Sequence, residues 1–330
     1  MIASAALPRR MSATLGVEAA AERLASAHSR DRLAHAYLLL GPAQVGKRRL
    51  ALWLAQALLC HVPRAGHPCG DCRSCRLVAE EHHPDLLVAP SPLKVDATRR
   101  LLSDLALLPV ESARRVALLA DFDQATLGAA NSLLKTLEEP PSRATLILTA
   151  GQPELVLSTV RSRCQLVNVQ PPGANAVAKA LRELHGLSPE AAMSLGRRSG
   201  GRLDWALAEI EDPSREGQRL DGLLLLERLI AAPRSARLAA AADLARRPEA
   251  LEGLLDGWIG WWRDALLWRL GLGDAAVTRE RDDVLAAAAA RLGEASVVSV
   301  ISSMEDALRR LRANGSAQLI LENLLLEMPS

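Results

Sequence analysis

The sequence predicts an α/β domain, a parallel sheet with helices on both faces, followed by two all-helical domains. Three observations carry that expectation. Up to about residue 170, short apolar runs alternate with amphipathic segments. A Gly-x4-Gly-Lys loop stands between the first apolar run and the helix after it. Beyond the Pro171-Pro172-Gly173 cluster, every segment has helical periodicity.

Ala36–Leu40 reads as a buried strand running into Gly41–Lys47, with a helix from about Arg48 to Leu59. Leu86–Ala89 is the second strand. The helix after it takes Asp96 as N-cap and places Leu101, Leu102 and Leu105 on one face. Val116–Leu119 is the third strand, followed by a helix from about Gln124 to Leu137 that Pro140 and Pro141 stop. Thr145–Thr149 and Gln165–Val169 complete the sheet. A short helical unit then runs from Ala174 to about Ile210, broken around Ser199–Gly201. Pro213, Pro233, Pro248, Gly271–Gly273 and Asn314–Gly315 punctuate the Leu/Ala/Arg-rich helices that follow. The expected domains are 1–170, 171–212 and 213–330.

A chain of 330 residues, 49% hydrophobic and 24% charged, is long enough for two or three cored domains. Its net charge of +2 gives no global pull toward nucleic acid. No apolar run approaches the roughly 20 residues of a membrane span. In Met1–Arg10 the arginines follow the apolar residues, the reverse of a signal peptide. A cytoplasmic location is expected, and five cysteines then argue for metal or free thiols over disulfides.

Gly41-Pro-Ala-Gln-Val-Gly46-Lys47-Arg48 matches a phosphate loop in all but its last position. Its glycines let backbone N–H groups wrap an anion, and Lys47 meets the outer phosphates. Arg48 stands where Ser or Thr would place a hydroxyl on magnesium, and a guanidinium cannot ligate a cation. A glycine turn that only resembles such a loop is the alternative. The third strand ends in Ala120-Asp121-Phe122-Asp123, which lacks the adjacent acidic pair of an ATPase. Asp121 and Asp123 either contact a ligand or cap the next helix.

Cys60, Cys69, Cys72 and Cys75 form C-x8-C-x2-C-x2-C. Two overlapping C-x2-C units bring three thiolates to one ion, and Cys60 closes the tetrahedron from the end of the phosphate-loop helix. Four thiolates make a closed, structural zinc site. His61 and His67 are alternative ligands that the quartet does not need. Cys164 stands alone beside an apolar strand, as a core thiol does. Trp258, Trp261, Trp262 and Trp268 recur at helical spacing among leucines, open to core or subunit packing and to nucleic-acid stacking.

Several segments resemble one family. They are His35-Ala-Tyr-Leu38 before the loop, the cysteines after it, His83-Pro-Asp85, Asn131-Ser-Leu-Leu-Lys-Thr-Leu-Glu-Glu-Pro-Pro141, Ser162-Arg163-Cys164, and Asn314-Gly-Ser-Ala-Gln-Leu-Ile-Leu-Glu-Asn-Leu-Leu-Leu326. Together they resemble the delta-prime family of bacterial DNA polymerase III clamp-loader subunits, AAA+ proteins. The resemblance covers nearly the whole chain. It implies an AAA+ domain, a small helical lid and a helical collar.

It also implies a role. Such a subunit joins gamma/tau and delta in a hetero-pentameric ring that loads the sliding clamp onto primed DNA, as part of a DNA-directed DNA polymerase. It does not hydrolyse ATP with Mg2+ itself. Aligned on Asn131, the motor subunits' Asp-Glu pair falls on Ala120 and Asp121, and their second-domain sensor arginine falls near Asp204. With Arg48, that makes three departures from hydrolysis. Arg163 is the implied catalytic residue, acting in trans on a neighbour's ATP. Arg161 is then structural. A gamma/tau-like ATPase motor, and a zinc-stabilised scaffold without a trans-acting arginine, are the alternatives.

Overall fold

The computed structural model describes residues 17–212, 214–273, 276, 292–312 and 315–329. The expectations for 1–10, Pro213 and Asn314 lie outside them. Two compact units emerge, 1–207 and 208–330.

The first unit is built on five parallel strands: β1 (Ala36–Leu40), β2 (Leu86–Val88), β3 (Arg115–Leu119), β4 (Ala144–Ala150) and β5 (Gln165–Asn168). Their spatial order is β2-β3-β4-β1-β5. β1 and β3 are buried at every position, as expected of a sheet covered on both faces. Alternation divides the side chains between two cores. Tyr37, Leu39, Val116, Leu118 and Ile147 pack with α1 (Glu18–Ser29) and α2 (Lys47–Leu59). Ala36, Leu38, Leu40, Ala117, Leu146 and Leu148 pack with α4 (Val95–Leu105) and α5 (Leu127–Glu138).

Two starts differ from the expectation. Lys94, not Asp96, occupies the N-cap of α4, and Asp96 lies in its first turn. There a carboxylate still faces the positive helix end favourably. Leu101 and Leu105 are buried, while Leu102 is only partly so. α5 starts at Leu127 rather than near Gln124, because a 3-10 turn occupies Phe122–Gln124. The Thr126 side chain then accepts the Ala129 N–H as the cap. Three helices of this unit lie outside the sequence expectation: α1, α3 (Arg73–Ala79) behind the cysteines, and the short helix at Ser158–Arg161.

α6 (Ser158–Arg161) leads into β5, and α7 (Ala174–His185), α8 (Pro189–Ser199) and α9 (Leu203–Glu211) follow it. The second unit contains α10 (Ser214–Ala231), α11 (Arg234–Leu244), α12 (Pro248–Arg269), α13 (Glu294–Arg312) and α14 (Ala317–Glu327). Trp258, Trp261 and Trp262 are its largest buried side chains, and Trp258 donates its indole N–H to Gly222 O at 2.9 Å. Core packing therefore accounts for them, and a base-stacking surface is excluded for these three. Trp268 packs partly buried against the same core. No described helix is long and apolar enough to cross a membrane.

Candidate functional site

The phosphate loop links β1 to α2. A Cβ on Gly41 would sit 2.2 Å from Val169 O, so the loop leaves the sheet pressed against the end of β5. Gly46, the N-cap of α2, has φ +98°, which L side chains rarely adopt. Both glycines are thus required by the turn itself. Lys47 is buried, and its Nζ donates to Gly41 O at 2.7 Å and Pro42 O at 2.6 Å, carbonyls of its own loop. Arg48 donates to both carboxylate oxygens of Glu81, each at 2.6 Å.

Asp204 reaches the loop from α9. Its backbone N–H donates to Gln44 O at 3.1 Å, and its carboxylate pairs with Arg49 on α2. Asp204 is thus tied to the loop by its backbone and to α2 by its ion pair with Arg49. At the end of β3, Asp121 adopts φ +48° and donates its N–H to Thr149 Oγ1 at 3.0 Å. The Asp123 carboxylate accepts from Gly151 N at 2.9 Å and Gln152 N at 2.8 Å. Asp123 therefore ties β3 to the end of β4, and neither aspartate caps α5.

The four cysteines form one cluster. Their Sγ atoms all lie within 4.8 Å of one another, with Cys60–Cys72 and Cys69–Cys75 at 4.0 Å. A tetrahedron of zinc–sulfur bonds of ~2.3 Å has edges of about 3.8 Å, so the quartet fits a four-thiolate ion. Cys60 is the C-cap of α2 and Cys72 the N-cap of α3, so two helices fix two of the corners. Backbone N–H groups of Cys69, Cys72 and Cys75 each donate to a cluster sulfur at 3.4 Å. Burial pushes the Cys60 and Cys75 thiols up. At Cys69 burial also raises the thiol, but N–H groups of Asp71 and Cys72 outweigh it and bring it down to about 7. His67 is turned elsewhere, edge-on to Trp53 and 3.5 Å from Glu22.

The module is docked on both sides. A Cβ on Gly66 would sit 2.0 Å from Ala25 O of α1. Ser74 Oγ donates to Leu59 O at 2.6 Å, and Ser112 Oγ reaches the same carbonyl at 3.4 Å. The loop carrying Ser112 is held by the fully buried Asp85, whose carboxylate accepts the N–H groups of Val110, Glu111 and Ser112 at 2.6–2.9 Å. His83 Nδ1 accepts the Asp85 N–H at 3.0 Å. The His83-Pro84-Asp85 motif thus braces the α4–β3 loop. Burial alone would raise Asp85, but the three N–H donors overcome it and hold its carboxyl below the usual range.

Arg163 lies at the opposite end of the sheet segment, just past α6. Its Nη1 donates to Thr159 O at 2.9 Å and Ser162 Oγ at 3.3 Å, and its Nη2 to Glu138 Oε1 at 2.7 Å. About a third of the side chain stays exposed. Arg161 instead turns inward, its Nη1 3.4 Å from Pro153 O. Cys164 packs partly buried against the sheet core, and burial raises its thiol to about 11. Sequence reasoning missed Glu81, Arg49 and Glu138 as partners. Only Glu138 left a trace, as an acid at a helix C-terminus, where the dipole disfavours it.

The profile of the family described as "DNA polymerase III, delta subunit" matches residues 16–173. DNA polymerase III subunit delta' of Pseudomonas aeruginosa is 41% identical over 178 residues, 52% of this chain and 54% of that protein. The corresponding subunit of Bacillus subtilis is 28% identical over 317 residues, 90% of this chain and 91% of that one. DNA polymerase III subunit tau of Escherichia coli is 35% identical over 159 residues, 48% of this chain and 25% of that protein. The match to the Pseudomonas relative spans about half of that relative's length. The profile match runs through the phosphate loop, the cysteine quartet and Ser162-Arg163-Cys164, and over these segments the chain is similar to the delta-prime subunits of DNA polymerase III.

Proposed function

We propose that this chain is a clamp-loader subunit that does not turn over ATP itself and serves a neighbour's active site. It assembles with gamma/tau and delta subunits into a hetero-pentameric ring that loads the sliding clamp onto primed DNA. In this reading 1–170 is the AAA+ domain, 171–212 the lid and 213–330 the collar through which the ring is joined. The observation that carries the reading is the state of the phosphate loop. Lys47 is engaged by loop carbonyls, Arg48 by Glu81, and Asp204 stands beside the loop where the motor subunits' arginine is expected. No adjacent acidic pair follows β3, where Ala120 precedes Asp121.

Arg163 is the residue proposed to act. In phosphoryl transfer a guanidinium supplied by a neighbouring subunit stabilises charge on the transferring phosphate. Arg163 is partly exposed and already held in one orientation, which suits that task. Cys60, Cys69, Cys72 and Cys75 would hold one Zn2+ as a structural cross-link between the end of α2 and α3. The proposed location is the cytoplasm.

The gamma/tau-like motor is the rival reading, favoured by the likeness to the tau subunit. ATP turnover by the purified chain decides between them. The proposal expects no turnover above background, and expects co-purification with gamma/tau and delta. Turnover at a motor-like rate that Lys47→Ala abolishes would overturn it.

A further inference from the structure

Glu138 ends α5, and Glu139 follows as its C-cap, just before Pro140-Pro141. Carboxylates at a helix C-terminus meet the negative end of the dipole, so a charge here needs a cation nearby. Arg163 supplies it. The guanidinium bridges two helix ends at once. One Nη donates to Thr159 O and Ser162 Oγ around the end of α6, and the other donates to Glu138 at the end of α5. Three N–H groups are thereby fixed. A guanidinium has five, so donors remain for an anion that approaches the exposed edge.

We propose that Glu138 is a positioning residue that pre-sets Arg163 for the neighbouring subunit's ATP. This rests on the reading of Arg163 as a trans-acting residue and goes beyond it. An unpaired arginine on the surface samples many rotamers and loses that freedom on engaging a phosphate. Glu138 and the α6 carbonyl take up most of that ordering within the chain, before assembly. Immobilising one such side chain is worth about 0.5–1.5 kcal/mol, which converts to roughly a twofold to tenfold change in rate.

The test uses the reconstituted complex of this chain with gamma/tau, delta, clamp and primed DNA, read as clamp-stimulated ATP hydrolysis. Glu138→Ala is expected to lower kcat roughly twofold to tenfold while KM for ATP stays put. Glu138→Gln, which keeps an acceptor oxygen, is expected to restore most of the loss and covers the case in which the alanine variant fails to fold. Combined with Arg163→Ala, Glu138→Ala should add nothing further, since a positioning residue has no effect without the group it positions. Unchanged or faster hydrolysis in Glu138→Ala, with hydrolysis reduced in Arg163→Ala, overturns the positioning role and leaves the trans-acting arginine standing. Unchanged hydrolysis in Arg163→Ala overturns both.

Discussion

Arg237 on α11 is 3% exposed, yet it carries a full positive charge. Its Nε–H is shared between Leu229 O and Ala232 O, its Nη1 donates to Leu325 O and Met328 O, and its Nη2 to Ile230 O and Pro329 O. Five N–H groups meet six carbonyls, so the whole donor inventory is used. Those carbonyls cluster at the C-terminal ends of α10 and α14. Two helix ends at about half a negative charge each offset the one positive charge. Arg237 is thus a shared C-cap that closes the second unit. Substituting Met removes all six bonds and leaves carbonyls facing an apolar chain. If three of them find no water, at about 1–1.5 kcal/mol each, the loss is roughly 3–5 kcal/mol. Arg237→Lys keeps the charge but has three donors and no fork, so it should recover no more than about half of that. Chemical denaturation followed by tryptophan fluorescence measures this, since four of the six tryptophans lie in 208–330. A loss below about 1 kcal/mol for Arg237→Met would refute the shared-cap reasoning.

Other predictions follow from the first unit. Metal analysis should find about one zinc per chain, and Cys75→Ser or chelation should release it and lower the melting temperature, because an ion held by the quartet would tie the end of α2 to α3; an unaffected melting curve after full zinc removal contradicts this. Acid should destabilise the unit in two stages. Burial holds His83 below its ordinary value, so below about pH 6.5 the unfolded chain takes up a proton that the folded chain does not, and stability falls. Asp85, held below the usual carboxylate range, contributes stability that is fully present above about pH 4 and disappears as the pH drops through its lowered value. His83→Asn should flatten stability between pH 7 and 5; an unchanged slope argues that His83 does not set it. Lys47→Ala should leave hydrolysis by the assembled complex within about twofold of wild type, since its loop is not a working site in this account. A loss as deep as that of Arg163→Ala would assign the loop a role.

The strands were legible because a sheet covered on both faces writes continuous apolar runs. Ala36–Leu40 was placed to the residue, and β3 and β4 each extended one or two residues beyond the expected ends. Helix starts were less legible. The apolar pattern after β3 does not reveal that Asp123 turns back to the Gly151 and Gln152 amides, which delays α5 to Leu127. α1 escaped because its buried residues are mostly alanines, which mark periodicity weakly. The cysteine quartet was legible from spacing alone, since close spacing in sequence forces closeness in space. Arg48 illustrates the opposite case. Its identity predicted what it could not do, but its partner Glu81 lies 33 residues away, a pairing that no local pattern encodes.

The proposed role puts this chain's chemistry in its neighbour's pocket, through Arg163. Single-turnover ATP hydrolysis by the reconstituted complex, with Arg163→Ala in this subunit alone, tests it most directly. Hydrolysis at the adjacent site should fall on the order of 10³-fold while complex assembly is retained. Undiminished hydrolysis at that site in a fully assembled complex would contradict it.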